Sequence, residues 1–100
     1  MKLYDLSAVI RSKNAGPFTL TLDMFFSCAD DFKRVIYSSA FTKEKIASLY
    51  NVPVDTVEIH PFVEILAIKV SVPRNVSSGA AGDRDVYGSQ QHFPLANIEI

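Results

Sequence analysis

Apolar and polar positions alternate most strictly over residues 18–26, with Phe18, Leu20, Leu22, Met24 and Phe26 on one side and Thr19, Thr21 and Asp23 on the other. A period of two places successive side chains on opposite faces, so this stretch predicts a half-buried strand. Just upstream, residues 7–11 (Ser-Ala-Val-Ile-Arg) are short and partly β-branched and run into Ser12-Lys13-Asn14-Ala15-Gly16-Pro17. Turn-forming residues of this kind predict a first strand that ends in a tight polar loop.

The period then changes. Ser27-Cys28-Ala29-Asp30 resembles a capping box with Asp in place of Glu, and Phe32, Val35, Ile36 and Ala40 follow at helical spacing. Thr42 is a second candidate cap, with Ile46, Leu49 and Tyr50 on one face of a shorter helix that should stop near Asn51, ahead of Val52-Pro53. Strand character returns over residues 57–59 and 64–72, where Leu66, Ile68, Val70 and Val72 share a face opposite Lys69 and Ser71, and His60-Pro61 is read as the bend between them. Residues 75–94 show no usable period and include Gly79, Gly82 and Gly88, a length of loop that in a small domain is functional or disordered. Residues 95–100 read as a final strand.

These elements predict an α+β fold: a two-layer sandwich with a mainly antiparallel sheet of four or five strands and two consecutive helices on one face. A chain of 100 residues supplies one core, so residues 1–100 are read as a single domain. Hydrophobic residues make up 48% and charged residues 21%, an apolar balance that leaves surface for a hydrophobic interface and predicts a partner or self-association.

Ten Lys and Arg nearly cancel eleven Asp and Glu, and no basic run tracks a phosphate backbone, which argues against nucleic acid. The opening Met1-Lys2-Leu3-Tyr4-Asp5 lacks a signal-peptide core and no apolar run reaches about 20 residues, so a cytoplasmic protein without a membrane span is expected. The lone Cys28 allows no internal disulfide and fits a reducing compartment. It is read as a small buried residue in preference to a nucleophile. No HxxxH or CxxC spacing supports a metal, and no cofactor is implied. The pair Phe25-Phe26 and Phe41 lack interleaved basic residues and are read as core or interface.

Candidate chemistry concentrates in two segments, residues 11–18 and 82–94. Arg11, Ser12, Lys13, Asn14 and Gly16 combine two cations, a hydroxyl, an amide and a flexible backbone suited to a carboxylate or phosphate. Alternatively, the cations pair with nearby acids and the loop simply turns the chain. The second segment is denser: Gly82-Asp83-Arg84-Asp85-Val86-Tyr87-Gly88-Ser89-Gln90-Gln91-His92. Tyr87, Gln90 and Gln91 offer ligand-binding groups, while His92 and Asp85 are the candidate proton-transfer groups. Set against this is a solvated loop in which Asp85 pairs with Arg11 or Arg74 and His92 packs beside Pro94.

Ile10-Arg11-Ser12-Lys13-Asn14-Ala15-Gly16-Pro17-Phe18 and Asp85-Val86-Tyr87-Gly88-Ser89-Gln90-Gln91-His92 together resemble the two signature blocks of a small family of uncharacterised bacterial proteins of about this length. Their layout, an Arg-Ser pair leaving the first strand and Asp-x-x-Gly before the last, is similar to the C-terminal domain of acyclic terpene utilisation (AtuA-like) proteins, which is described as ferredoxin-like. Arg11, Ser12, Asp85 and Gly88 match the shared pattern, whereas Lys13-Asn14 and Gln90-Gln91-His92 match the small-protein family alone. The resemblance implies a ferredoxin-like variant and a small subunit beside an AtuA-like large subunit, in the catabolism of branched acids or acyl-CoA compounds.

Two functional expectations follow. One is a small subunit or interaction module that completes a carboxylate or acyl-CoA site with the large chain and takes a small anionic metabolite. The other is a self-sufficient homo-oligomeric lyase, hydratase or isomerase on a small carboxylate, with Arg11 and Lys13 holding the anion and His92 or Asp85 moving a proton. A regulatory domain that binds a metabolite without converting it is a third class.

Overall fold

The alternating segment forms one of the two central strands of the sheet in the computed structural model, which describes residues 1–15, 18–73 and 93–100. In chain order the elements are α1 (Leu3–Leu6), β1 (Val9–Asn14), β2 (Thr19–Phe25), α2 (Ala29–Ile36), α3 (Lys43–Tyr50), β3 (Glu58–Phe62), β4 (Ala67–Pro73) and α4 (Phe93–Ala96), with 3-10 turns at Val54–Thr56 and Val63–Ile65. The four strands make one sheet in the order β1-β2-β4-β3 with every neighbouring pair antiparallel, so the protein is α+β with an antiparallel sheet. No described pair is parallel. β2 and β3 nevertheless run in the same direction with β4 between them, so that α2 and α3 form the crossover of a split β-α-β unit.

Alternation decides what each strand buries. Leu20, Leu22 and Met24 of β2 and Ile68, Val70 and Val72 of β4 are buried on one face. They join Leu3 and Leu6 of α1, Phe32 and Val35 of α2, Ile46 and Ala47 of α3, and Leu95 of α4 in one hydrophobic cluster. The opposite face carries the intervening residues of the same strands: Arg11 and Lys13 from β1, Thr21, Asp23 and Phe25 from β2, Ala67, Lys69 and Ser71 from β4, and His60 and Phe62 from β3. Phe18, expected on the core side, is exposed because β2 begins only at Thr19.

Helix signals are met in part. Thr42 caps α3 by accepting a hydrogen bond from the Lys45 N–H (3.2 Å), and Asn51 ends it in the left-handed region at φ 56°, where Asn is better tolerated than most residues. The expected cap at Ser27 lies one residue early: Cys28 occupies the N-cap position of α2 and its side chain makes no capping bond. Cys28 is exposed, against the expectation of burial, because an N-cap residue stands outside the packed face of its helix. Phe32 fixes α2 against the sheet end through an edge contact with Phe26 (6.0 Å, 79°).

Four other boundaries differ from expectation. Residues 12–14 extend β1 instead of opening a loop, because their pairing with Leu22, Thr21 and Leu20 supplies ladder bonds that turn propensity does not outweigh. His60 and Pro61 lie within β3, where the missing proline N–H is tolerated on an edge strand. The turn falls instead at Val63–Ile65, closed by Leu66 at φ 51°. Residues 95–100 do not form a strand: α4 spans Phe93–Ala96, with proline accommodated in its first turn, and only Glu99 makes an isolated bridge, to Lys2. The helical turn α1 was not foreseen. It is held by Asp5, whose carboxylate accepts from the Lys2 N–H (3.2 Å), and by the burial of Leu3 and Leu6.

Tyr50 links the two ends of the helical layer. Its hydroxyl accepts a hydrogen bond from the Leu95 N–H (3.3 Å), tying α4 to α3. Burial raises its pKa above the ordinary tyrosine value, only partly offset by this backbone bond.

Candidate functional site

Strand register assembles a charged row across the face turned away from the helices. Arg11 lies opposite Asp23, Asp23 opposite Lys69, and Lys69 opposite His60, so four strands contribute one ionisable group each. One step away, towards the β3–β4 turn, the row Val9, Phe25, Ala67, Phe62 is apolar throughout. Two residues along a strand separate the rows by about 7 Å.

A depression of about 250 Å³ spans these rows, lined by Arg11, Lys13, Asp23, Phe25, Phe62, Ile65, Ala67 and Lys69 together with Ile68. Three cations and one carboxylate thus line the depression. The Asp23 side chain is only 12% exposed whereas that of Arg11 is 59% exposed, and Arg11 Nε stands 3.8 Å from Asp23 Oδ2. This is a long, loosely made ion pair whose cation remains available to solvent. The guanidinium carbon also sits 5.4 Å from the centre of the Phe25 ring, so the cationic head itself lies over an aromatic face that lines the depression.

The apolar end is set by the turn at Val63–Ile65. Leu66 in the left-handed region turns the chain back, its carbonyl accepts from the Phe26 N–H (2.9 Å), and Ile65 is left at the rim. Phe62, Val63 and Ile65 are all exposed, a run of large apolar side chains at one corner of the sheet. Among the described lining residues there is no histidine or cysteine, and His60 lies at the edge strand with Nε2 3.3 Å from Glu58 Oε1. No group of three His, Cys, Asp or Glu side chains among the described residues could hold a metal ion.

The expected ligand-binding residues of the first segment divide between faces. Arg11 and Lys13 line the depression, whereas Ser12, buried, and Asn14 take the alternate positions on the core side and are engaged in interactions of their own. Extended β geometry separates neighbours that a loop would have kept together. Gly16, Asp85, Tyr87, Gln90, Gln91 and His92 lie outside the described residues, as does Arg74. The chain leaves β4 at Pro73, which pairs with Thr19 beside the end of the β1–β2 turn, four residues or about 13 Å along the strand from Lys69.

Sequence reading missed Asp23, Lys69, Phe25 and Phe62 as site residues. The signal was present as the polar half of the alternation, Asp23 between Leu22 and Met24 and Lys69 between Ile68 and Val70. What joins them is strand register, a property of the fold.

Residues 3–99 match the family model described as domain of unknown function DUF4387, and the chain belongs to that family. No curated protein and no solved structure matches the chain. Among the described residues no helix is long and apolar enough to cross a membrane.

Proposed function

We propose that the chain is a small subunit that binds the carboxylate of an anionic metabolite on the sheet face opposite its described helices and completes a carboxylate or acyl-CoA site with an AtuA-like large subunit. The observation that carries this reading is the excess of cations, Arg11, Lys13 and Lys69 against Asp23, around one depression with an apolar end. An incoming carboxylate would satisfy the charge that Asp23 leaves over, and Arg11 is suited to it by its planar fork of donors.

Two features favour a shared site over a complete one. At about 250 Å³ the depression is smaller than the roughly 300–1,000 Å³ of a full small-molecule pocket, and it is open on one side. Beside it, Phe62, Val63 and Ile65 present apolar surface of the kind buried at subunit contacts. Binding is also favoured over stand-alone catalysis, because the described lining supplies charge but no histidine or cysteine. The proton-transfer candidates, Asp85 and His92, belong to the segment that follows β4.

Calorimetric titration with propionate at low salt, on the chain alone and mixed with an AtuA-like large subunit, tests the reading. Binding is expected to tighten at least tenfold in the mixture, and to fall about tenfold in the double variant Arg11→Gln, Lys13→Gln. Equal affinity of wild type and double variant overturns the anion site. Failure of the two chains to associate overturns the shared one.

A further inference from the structure

The apolar row beside the charged one has a shape of its own. Across β2, β4 and β3 it reads Phe25, Ala67, Phe62, a methyl between two phenyl-bearing positions. Ala67 is 4% exposed although its own side chain is a single carbon, which places it at the floor of a slot and not on a flat surface. Ile65 stands at the far end, and Arg11, Asp23 and Lys69 at the near end. The depression is therefore polar at one end and apolar at the other, with its long direction along the strands.

We infer that the ligand is an amphiphilic monocarboxylate whose head meets Arg11 and Lys69 and whose unbranched apolar tail lies in the slot over Ala67 between Phe25 and Phe62. This deepens the proposed function and rests on it, since the tail has no reason to enter the slot unless the head is held. Charge complementarity fixes the direction: a tail laid the other way would put a carboxylate among Phe62, Ile65 and Ala67 without a partner, a costly burial. Volume fixes the size. About 250 Å³ accommodates roughly eight water-sized groups at ~30 Å³ each, which corresponds to the eight non-hydrogen atoms of hexanoate. A second carboxylate at the tail end is excluded by the same argument, so dicarboxylates should gain nothing over short acids.

The test is an NMR titration of the whole chain with acetate, butanoate, hexanoate and octanoate. Fully buried methylenes give about a fourfold gain each; a slot open on one side should give about half that free energy, or twofold. Hexanoate is then expected to bind roughly fifteenfold tighter than acetate, with no further gain at octanoate. In Ala67→Leu, which fills the floor, the ratio of hexanoate to acetate affinity should collapse towards one. Phe62→Ala, at a position 45% exposed and outside the hydrophobic core, should lower the same ratio severalfold and serves if the leucine is not accommodated. Acetate binding with no dependence on chain length overturns the slot while leaving the anion site intact. Absence of binding by every acid overturns the anion site and the slot with it.

Discussion

The two faces of the sheet are built from alternate residues of the same strands and carry opposite burdens. On one, Leu22, Met24, Ile68 and Val70 are sealed under the helices; on the other, Asp23, Lys69, Arg11 and Phe25 form a graded surface from charge to hydrocarbon. Since positions one residue apart face different layers, stability and ligand binding are separable by a single step along β2. A core-face change should act on folding, and a change on the other face on binding.

The largest expected effect tests the first half of that separation. Leu22→Ala removes a fully buried side chain from the centre of the cluster and should cost about 2–5 kcal/mol in urea unfolding. Its neighbour Thr21, on the other face, donates only a long bond of 3.4 Å to the Lys13 carbonyl, and Thr21→Ala should cost about 1 kcal/mol or less. Similar losses for both would mean that the faces are not distinct in energy.

A second, smaller effect lies in the helical layer. Tyr50→Phe removes the acceptor for the Leu95 N–H and should cost about 1 kcal/mol at neutral pH. Its sign with pH is set by burial: the folded pKa is raised above the ordinary 10.0, so the neutral phenol stabilises the fold fully below pH 10 and that stability is lost as pH rises further. The stability gap between wild type and Tyr50→Phe should therefore close above pH 10, a trend that denaturant melts at a series of pH values would reveal. A gap that stays constant would show that the hydroxyl is not the group responsible.

Helix and strand were legible where a periodic signal was long enough to repeat. The alternation through residues 20–24 located β2, and Thr42 and Asn51 bracketed α3, because each signal is local. α1 was not legible: four residues with apolar positions at Leu3 and Leu6 give no period, and the turn exists because the core accepts both side chains. Residues 95–100 read as a strand, but β-branching there records packing as much as pairing, and Ile98 is buried without belonging to the sheet. At the site, Arg11 and Lys13 were identified from their charge, whereas their separation from Ser12 and Asn14 depended on how far β1 extends. Asp23 became the neighbour of Arg11, and Lys69 that of Asp23, only through register, which sequence spacing does not encode.

Smaller effects sharpen the comparison on the binding face. Asp23→Asn removes the carboxylate that would compete with a ligand for Arg11; with Arg11 largely exposed, the stability loss should stay under about 1 kcal/mol. Anion affinity should instead rise severalfold. If affinity falls, Asp23 positions Arg11 and does not compete with the ligand. Lys13→Gln, at an exposed position, should leave stability within about 0.5 kcal/mol and weaken anion binding only a few-fold, with a shallower dependence on salt.

Side-chain NMR during titration with hexanoate at low ionic strength observes both faces in one sample. The Ala67 methyl and the Arg11 Nε–H should shift together and saturate at one concentration, while the Leu22 and Val70 methyls on the helix-covered face stay in place. Shifts that centre on the core methyls, or that leave Arg11 and Ala67 unmoved, would contradict a binding face opposite the helices.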